Sequence, residues 1–464
     1  MHERTPTTPA PVSARQQKHT FKKIALCTLL GGSLFTANCA AWCMDLLQAY
    51  DAARLQDASV LASRATAAAG RERLPQARSQ LFPSISANAQ QTSNRLQSTT
   101  PNFQGIEQTQ NSNYPSSNQT VTLRQPLYRP FITAQLRQAR AQIDDTEATL
   151  AQEEQSLAVR VASAYFEAML SLDQLALVAA QRTTITTQLD VTRKTFAGGA
   201  GTRTDIDETQ ARLDQIMATE IEARQNVDFT RRQLEVLVNQ PVAALSTLNV
   251  AKLELLEPQP NFLEAWIDKA EQSSPQLKSL RAQLEAARED VSKANSGHKP
   301  TLDAVVQWQR SQSENVTNST NRYTNSTMGL QLSIPIFQGG YVSSQVRQAV
   351  AAQERASQLL EAGRRDLGVR VFREFRGVLE NVPKVKALER ALASADQLVV
   401  SNRKSFQAGS RTVVDILNAE QQRTLVLRDL AQARYVYLVS KLRLLALVGE
   451  ADQQAVVALN TALQ

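Results

Sequence analysis

Beyond residue 41 this 464-residue sequence holds one cysteine, Cys43, and one histidine, His298. A single cysteine excludes an intrachain disulfide. One cysteine and one histidine are too few for a Cys/His metal site, and no partner beside His298 marks out a Ser-His-Asp triad. No glycine-rich phosphate loop is present, and no convergent pair of acids marks out carboxylate chemistry. The expectation is therefore a protein that is not an enzyme and carries no cofactor. A strong basic balance is also lacking once residues 1–41, with their five Lys/Arg and one Glu, are set aside: the net charge of +7 falls to about +3, and nucleic acid is not implied as a partner.

Residues 1–41 read as a signal peptide. Lys18, Lys22 and Lys23 precede an apolar run from Ile24 to Ala37, and Cys39, Ala40 and Ala41 follow it. The run is too short for a stable membrane-spanning helix. Asn38 before Cys39 and Trp42 before Cys43 fit a lipoprotein signal poorly, so a lipid anchor at either cysteine is disfavoured.

What the chain does hold is a repeat. Arg403-Lys404-Ser405-Phe406-Gln407-Ala408-Gly409-Ser410-Arg411-Thr412-Val413-Val414-Asp415-Ile416 echoes Arg193-Lys194-Thr195-Phe196 followed by Gly199, Thr202, Thr204, Asp205 and Ile206. The offset of about 210 residues also pairs Arg137-Gln138-Ala139 with Arg347-Gln348-Ala349, and Leu234, Leu237 and Val238 with Leu444, Leu447 and Val448. One inserted residue would turn the following helix face by about 100°. A register kept this long points to a duplicated coiled-coil hairpin with the glycine stretch at its tip.

The pattern divides the chain into two structural repeats, 42–242 and 261–450, joined by an irregular linker at 243–260 and followed by a tail at 451–464. Each repeat begins with a helical stretch. In the first, Pro75 is expected to end or kink the helix. Its echo runs from Phe262 to Ala294.

Strands follow, expected at 83–94 and 118–127, then at 300–310 and 326–337. In the first pair Ile85, Ala87 and Ala89 alternate with Ser86, Asn88 and Gln90, and a polar loop covers 91–118. In the second pair Leu302, Ala304, Val306 and Trp308 share a face, with Met328, Leu330, Leu332, Ile334 and Ile336 on the other strand. Such lengths suit transmembrane β-strands, although an amphipathic hairpin on a soluble domain gives the same alternation. The triplets that begin at Asn315, Asn318 and Asn325 read as polar loop.

Long unbroken helices are expected at 129–196 and 339–406, each near 100 Å at about 1.5 Å per residue, and return helices at 204–238 and 414–448. Small residues such as Ala139, Ala162, Ala164 and Ala349 suit helices packed sideways on two neighbours, as in a tube wall; a two-stranded hairpin remains open.

This order, run through twice, resembles the TolC family of outer-membrane exit ducts over essentially the whole chain after residue 41. The residues that carry the resemblance are Gly409 through Leu417 and Leu332-Ser333-Ile334-Pro335-Ile336-Phe337-Gln338-Gly339-Gly340, with Pro83 and Pro126 in the first copy. The resemblance implies an α+β membrane protein: a homotrimeric 12-stranded β-barrel, four strands per protomer, continued by a periplasmic α-helical coiled-coil barrel. It places the chain in the bacterial outer membrane, in contact with its lipid and extending into the periplasm. There it would be a passive gated exit duct of a tripartite efflux or type I secretion system, working with a periplasmic adaptor and an inner-membrane transporter, ABC-type or proton-driven.

By matching residues, the family's gate latch falls on Arg411, reaching toward Thr204 and Asp205, with Phe406 where a tyrosine often stands. Its selectivity ring falls on Asp415, with Asn418 where a second acid is common. Asp415 could instead brace its own helix start. The adaptor-docking tips fall on Gly198, Gly199, Ala408 and Gly409, where a turn needing positive φ also accounts for a glycine. A periplasmic coiled-coil adaptor or scaffold without a pore is the alternative, but it gives no reason for duplicated amphipathic strands.

Overall fold

Capping residues set where the first helices begin and end. The Asp45 carboxylate accepts from the Gln48 amide and opens α1 (Leu46–Gln56); Asp57 then breaks the chain and accepts from the Val60 amide to open α2 (Ala58–Arg71). After Glu72 comes α3 (Arg73–Ser79). The helical run is thus interrupted at Glu72, one turn before Pro75, as expected of a proline there. Pro75 lies in the first turn of α3, where its missing N–H has no intrahelical partner to lose. In the second copy α6 (Leu263–Ser273) and α7 (Pro275–Asn295) replace the single expected helix, and Pro275 opens α7.

The computed structural model describes residues 43–314 and 320–463, all within one unit, Cys43–Gln464. The signal peptide, Cys39 and the triplets at Asn315 and Asn318 lie outside the described residues. Cys43 is a free, exposed thiol.

Four antiparallel strands form one sheet in the order β1-β2-β3-β4: β1 (Ser84–Pro101), β2 (Glu107–Tyr128), β3 (Thr301–Glu314) and β4 (Thr320–Ser333). The register sets Ile85 beside Leu123, Leu123 beside Val306 and Val306 beside Met328; Leu302 faces Leu332, and Ala304 faces Leu330. One face is thus apolar. Ser86, Thr122, Arg124, Asp303, Gln307 and Gln331 fall on the other by alternation.

Several strand boundaries differ from the sequence reading. Most of the expected polar loop at 91–118 is strand, since β1 and β2 stay paired up to Pro101 and Glu107 before the turn at Gly105. Backbone rungs need no apolar side chains, and polar pairs such as Asn94 with Ser116 (2.8 Å) add to them. β3 leaves β2 at Ser116, so the hairpin runs on alone for nine residues, about 30 Å. The fourth strand ends at Ser333 rather than 337, just before Pro335, and Ile334 and Ile336 are exposed. Asn325, Ser326 and Thr327 lie in β4, not in a loop.

The long helices are α4 (Pro130–Ala197) and α8 (Tyr341–Gln407); α5 (Arg203–Val238) and α9 (Val413–Leu447) return from them. The α8 run is not free of breakers: Pro383 lies inside it. It removes one backbone bond, yet the helix continues, held by the buried Val378, Val382 and Val385. α4 packs on α5, α7 and α9, and α8 packs on α7 and α9, so each long helix touches more than one neighbour.

The main core joins both copies. Phe166 of α4 meets Tyr165 edge-on and stacks on Tyr435 of α9, each with ring centroids 5.8 Å apart. The tail forms α10 (Gln453–Asn460), and Asn460 Oδ1 accepts from the Leu46 amide at 3.1 Å, tying the C-terminal segment to α1.

Candidate functional site

Both hairpin tips are closed by the same hydrogen-bond pattern. In the first copy the Gly199 amide donates to the Phe196 carbonyl (2.9 Å) and the Ala200 amide to the Thr195 carbonyl (3.1 Å). In the second the Gly409 amide donates to Phe406 (2.9 Å) and Ser410 to Ser405 (3.0 Å). This is a Schellman turn, which needs a left-handed residue after the cap; Gly199 has φ 81 and Gly409 has φ 75. A Cβ on either glycine would meet nothing within 4 Å, so backbone conformation rather than crowding within the chain selects glycine. Gly198 and Ala408 are the ordinary right-handed caps before them.

After each turn a threonine–aspartate pair starts the return helix. Thr202 accepts from the Asp205 amide, and Asp205 Oδ2 accepts from the Thr202 amide (3.1 Å) and hydroxyl (2.7 Å). Thr412 and Asp415 repeat this box, with Asp415 Oδ2 at 2.9 and 2.8 Å from the Thr412 amide and hydroxyl. Arg411 Nη1 donates to Asp415 Oδ1 at 3.3 Å. The Thr412 amide and hydroxyl, helped by the Arg411 guanidinium, hold the Asp415 carboxyl below the usual carboxylate range. Asp415 thus braces its own helix while remaining a half-exposed anion.

Within the chain Arg411 therefore meets Asp415, whereas Asp205 is engaged by Thr202 and Thr204 is exposed in the first turn of α5. Phe406 packs against a small apolar cluster of Ile185, Val413 and Leu417, with Leu213 and Ile216. Asn418 does not stand alone: its Oδ1 accepts from Arg212 Nη2 of α5 at 3.2 Å.

Sequence reasoning missed Arg212 and the cluster around Ile185. Neither stands out along the chain. Arg212 is one of many arginines on a polar helix, and its partners lie more than 200 residues away.

At the sheet, Asp303, 2% exposed, gathers two arginines. Arg124 Nε and Nη2 donate to its Oδ2 at 3.0 and 2.7 Å; Arg129 Nε donates to Oδ1 at 2.8 Å and Nη2 to Oδ2 at 2.6 Å. Arg129 is the residue before α4, so this cluster ties β3 and β2 to the start of the long helix.

Comparison with known proteins covers nearly all the described chain. A family model described as outer membrane efflux protein matches residues 49–240 and 266–450. The chain is 32% identical, over 92% of its length and 88% of the relative, to the alkaline protease secretion protein AprF of Pseudomonas aeruginosa. It is 30% identical, over 94% of its length and 88% of the relative, to the outer membrane protein TolC of Escherichia coli. The solved structure of the outer-membrane channel OprN superposes with a TM-score of 0.76 at 16% identity, covering 88% of this chain and 90% of that one.

Proposed function

The chain belongs to the outer membrane efflux protein family and is an outer-membrane exit channel of the TolC type, and from that premise we propose that three copies assemble into one gated duct. The observation that carries this reading is the open sheet. β1 and β4 are its edges, and one face is apolar. In lipid every backbone group on an open edge is left without a partner, at a cost of several kcal/mol each, so a four-stranded sheet with this face must pair with others. Pairing β4 of one copy with β1 of the next closes twelve strands in three copies, with the apolar face toward lipid and the polar face lining the passage. The flanking helices support this closure. Ile221, Phe229 and Val236 on α5 and Val369 and Phe372 on α8 leave apolar side chains exposed in the single protomer.

The tips close the periplasmic end. Three Asp415 carboxylates converging there favour cations over anions, and in the closed duct Arg411 exchanges its own Asp415 for Thr204 and Asp205 across a tip contact between copies. The exposed turns at Gly198, Gly199, Ala408 and Gly409 offer a surface free of bulky side chains to a periplasmic adaptor. An inner-membrane transporter supplies the energy, because the duct has no chemistry of its own. AprF, and the proteases secretion protein PrtF of Dickeya chrysanthemi at 29% identity, are named for protein export, and on that likeness polypeptides are the proposed cargo.

The test is the mass and conductance of protein extracted from the outer membrane. A trimer giving discrete, cation-preferring channels in a planar bilayer is the expected result. A folded monomer, or a trimer without channels, would overturn the duct and favour a scaffold.

A further inference from the structure

We propose that Arg212 is the bolt between the two hairpins of each protomer, and that it sets how firmly the periplasmic end of the duct stays shut; this rests on the gated-duct reading above. The geometry separates Arg212 from the other polar side chains near the tips. Arg182 to Glu220 and Arg193 to Gln210 stay within the first hairpin, α4 with α5. Arg403 to Glu420, Arg423 to Asp396 and the Asn402 amide to the Asp415 carbonyl stay within the second, α8 with α9. These bonds hold each hairpin together and do not oppose its swinging away from the other.

Arg212 leaves α5 and crosses to α9. Nη1 donates to Gln421 Oε1 at 2.9 Å and Nη2 to Asn418 Oδ1 at 3.2 Å, while Glu208, one turn back on α5, lies 3.9 Å from the same guanidinium. Gln421 and Asn418 are three residues apart on α9, so the planar fork spans one face of that helix. Beside it the cluster around Ile185 draws equally on both hairpins: Ile185, Leu213 and Ile216 from the first, Phe406, Val413 and Leu417 from the second. Moving the second hairpin outward breaks both Arg212 bonds and parts this cluster. Another polar link between hairpins, Tyr435 Oη to Asp173 Oδ2 at 2.6 Å, lies in the main core, where α4 and α9 stay packed.

Both acceptors of Arg212 are neutral amides. The bolt is therefore weaker than a carboxylate pair, and its strength does not depend on the protonation of its acceptors. This makes it adjustable. Gln421→Glu, which gives Arg212 a charged acceptor, should tighten it.

The test is the resting conductance of purified trimers in planar bilayers. Arg212→Ala should shift the closed-to-open balance by roughly three- to tenfold per protomer, seen as higher resting conductance, with the trimer's melting temperature unchanged. Gln421→Glu should lower the resting conductance below wild type, and Arg212→Lys should fall between wild type and Arg212→Ala. If Arg212→Ala folds poorly, the paired change Asn418→Ala with Gln421→Ala removes both acceptors and should also raise conductance. Channels that conduct like wild type in Arg212→Ala and in the acceptor pair would overturn the bolt and leave the duct standing. Wild-type trimers that form no channel would overturn the duct, and the bolt with it.

Discussion

Replacing Asp303 by alanine should loosen the joint between sheet and helices more than any single change at the tips. The carboxylate is 2% exposed and receives four charge-assisted bonds from Arg124 and Arg129. Breaking a fully buried pair costs about 3–5 kcal/mol, because the surviving charge is left without a partner. Here the survivors are arginines whose side chains are 44% and 32% exposed, so water recovers part of that loss. The expected cost is about 2–4 kcal/mol. Removing Arg124 or Arg129 alone should cost less than removing Asp303, since the carboxylate keeps the other arginine. The assay is the unfolding midpoint of detergent-solubilised protein in urea, with Asp303→Ala, Arg129→Ala and the double change forming a cycle. If Arg129→Ala costs as much in the Asp303→Ala background as in wild type, the two do not act together and the reasoning fails. A wild-type midpoint in Asp303→Ala would refute it outright.

The remaining expectations concern core and tips. Phe166→Ala removes a fully buried ring that stacks on Tyr435, and should cost about 3–5 kcal/mol by the same urea midpoint; a loss under about 1 kcal/mol would show that the joint core is not shared between the copies. Gly409→Ala should cost about 1–2 kcal/mol from its φ of 75 alone, because the Cβ meets nothing within 4 Å; Gly409→Asn should cost less, and equal losses would count against a conformational cause. Asp415 has a folded pKa below its ordinary 3.8, so its contribution is full above about pH 3.8 and is lost as pH falls from there through the depressed value. Amide-exchange protection at the second tip, corrected for intrinsic rates, should hold from pH 7 to about 5 and fall only below about 4; a loss near pH 6 would point to another group.

The duplication was legible because it rests on local chemistry. A Schellman turn needs glycine at one position and a threonine–aspartate box needs two residues at fixed spacing, so Gly199 with Thr202 and Asp205, and Gly409 with Thr412 and Asp415, leave the same imprint. The apolar face of the sheet was legible for the same reason. Ile85 and Ala87 in one copy, and Leu302 to Trp308 in the other, alternate with polar neighbours. Where strand pairing carried no such alternation it was misread: the polar stretch at 91–118 looks like loop, since backbone rungs leave no mark on side chains that are polar on both faces. Proline marked a helix interruption beside Pro75, where the helix restarts and the missing N–H costs nothing, but not at Pro383, where packing carries α8 through.

By itself the amino-acid order determined the repeat, and within each copy the helix ends at the tips and the alternating face, which depend on residues within a few turns of one another. Tertiary structure alone decided which long-range groups meet. Arg212 finds Asn418 and Gln421 across more than 200 residues, and Asp303 finds Arg124 and Arg129 across more than 170. The physical reason is reach. A cap or a turn is satisfied within its own segment, whereas a guanidinium on a helix surface has several acceptors within range, and the packing of the other helices selects among them.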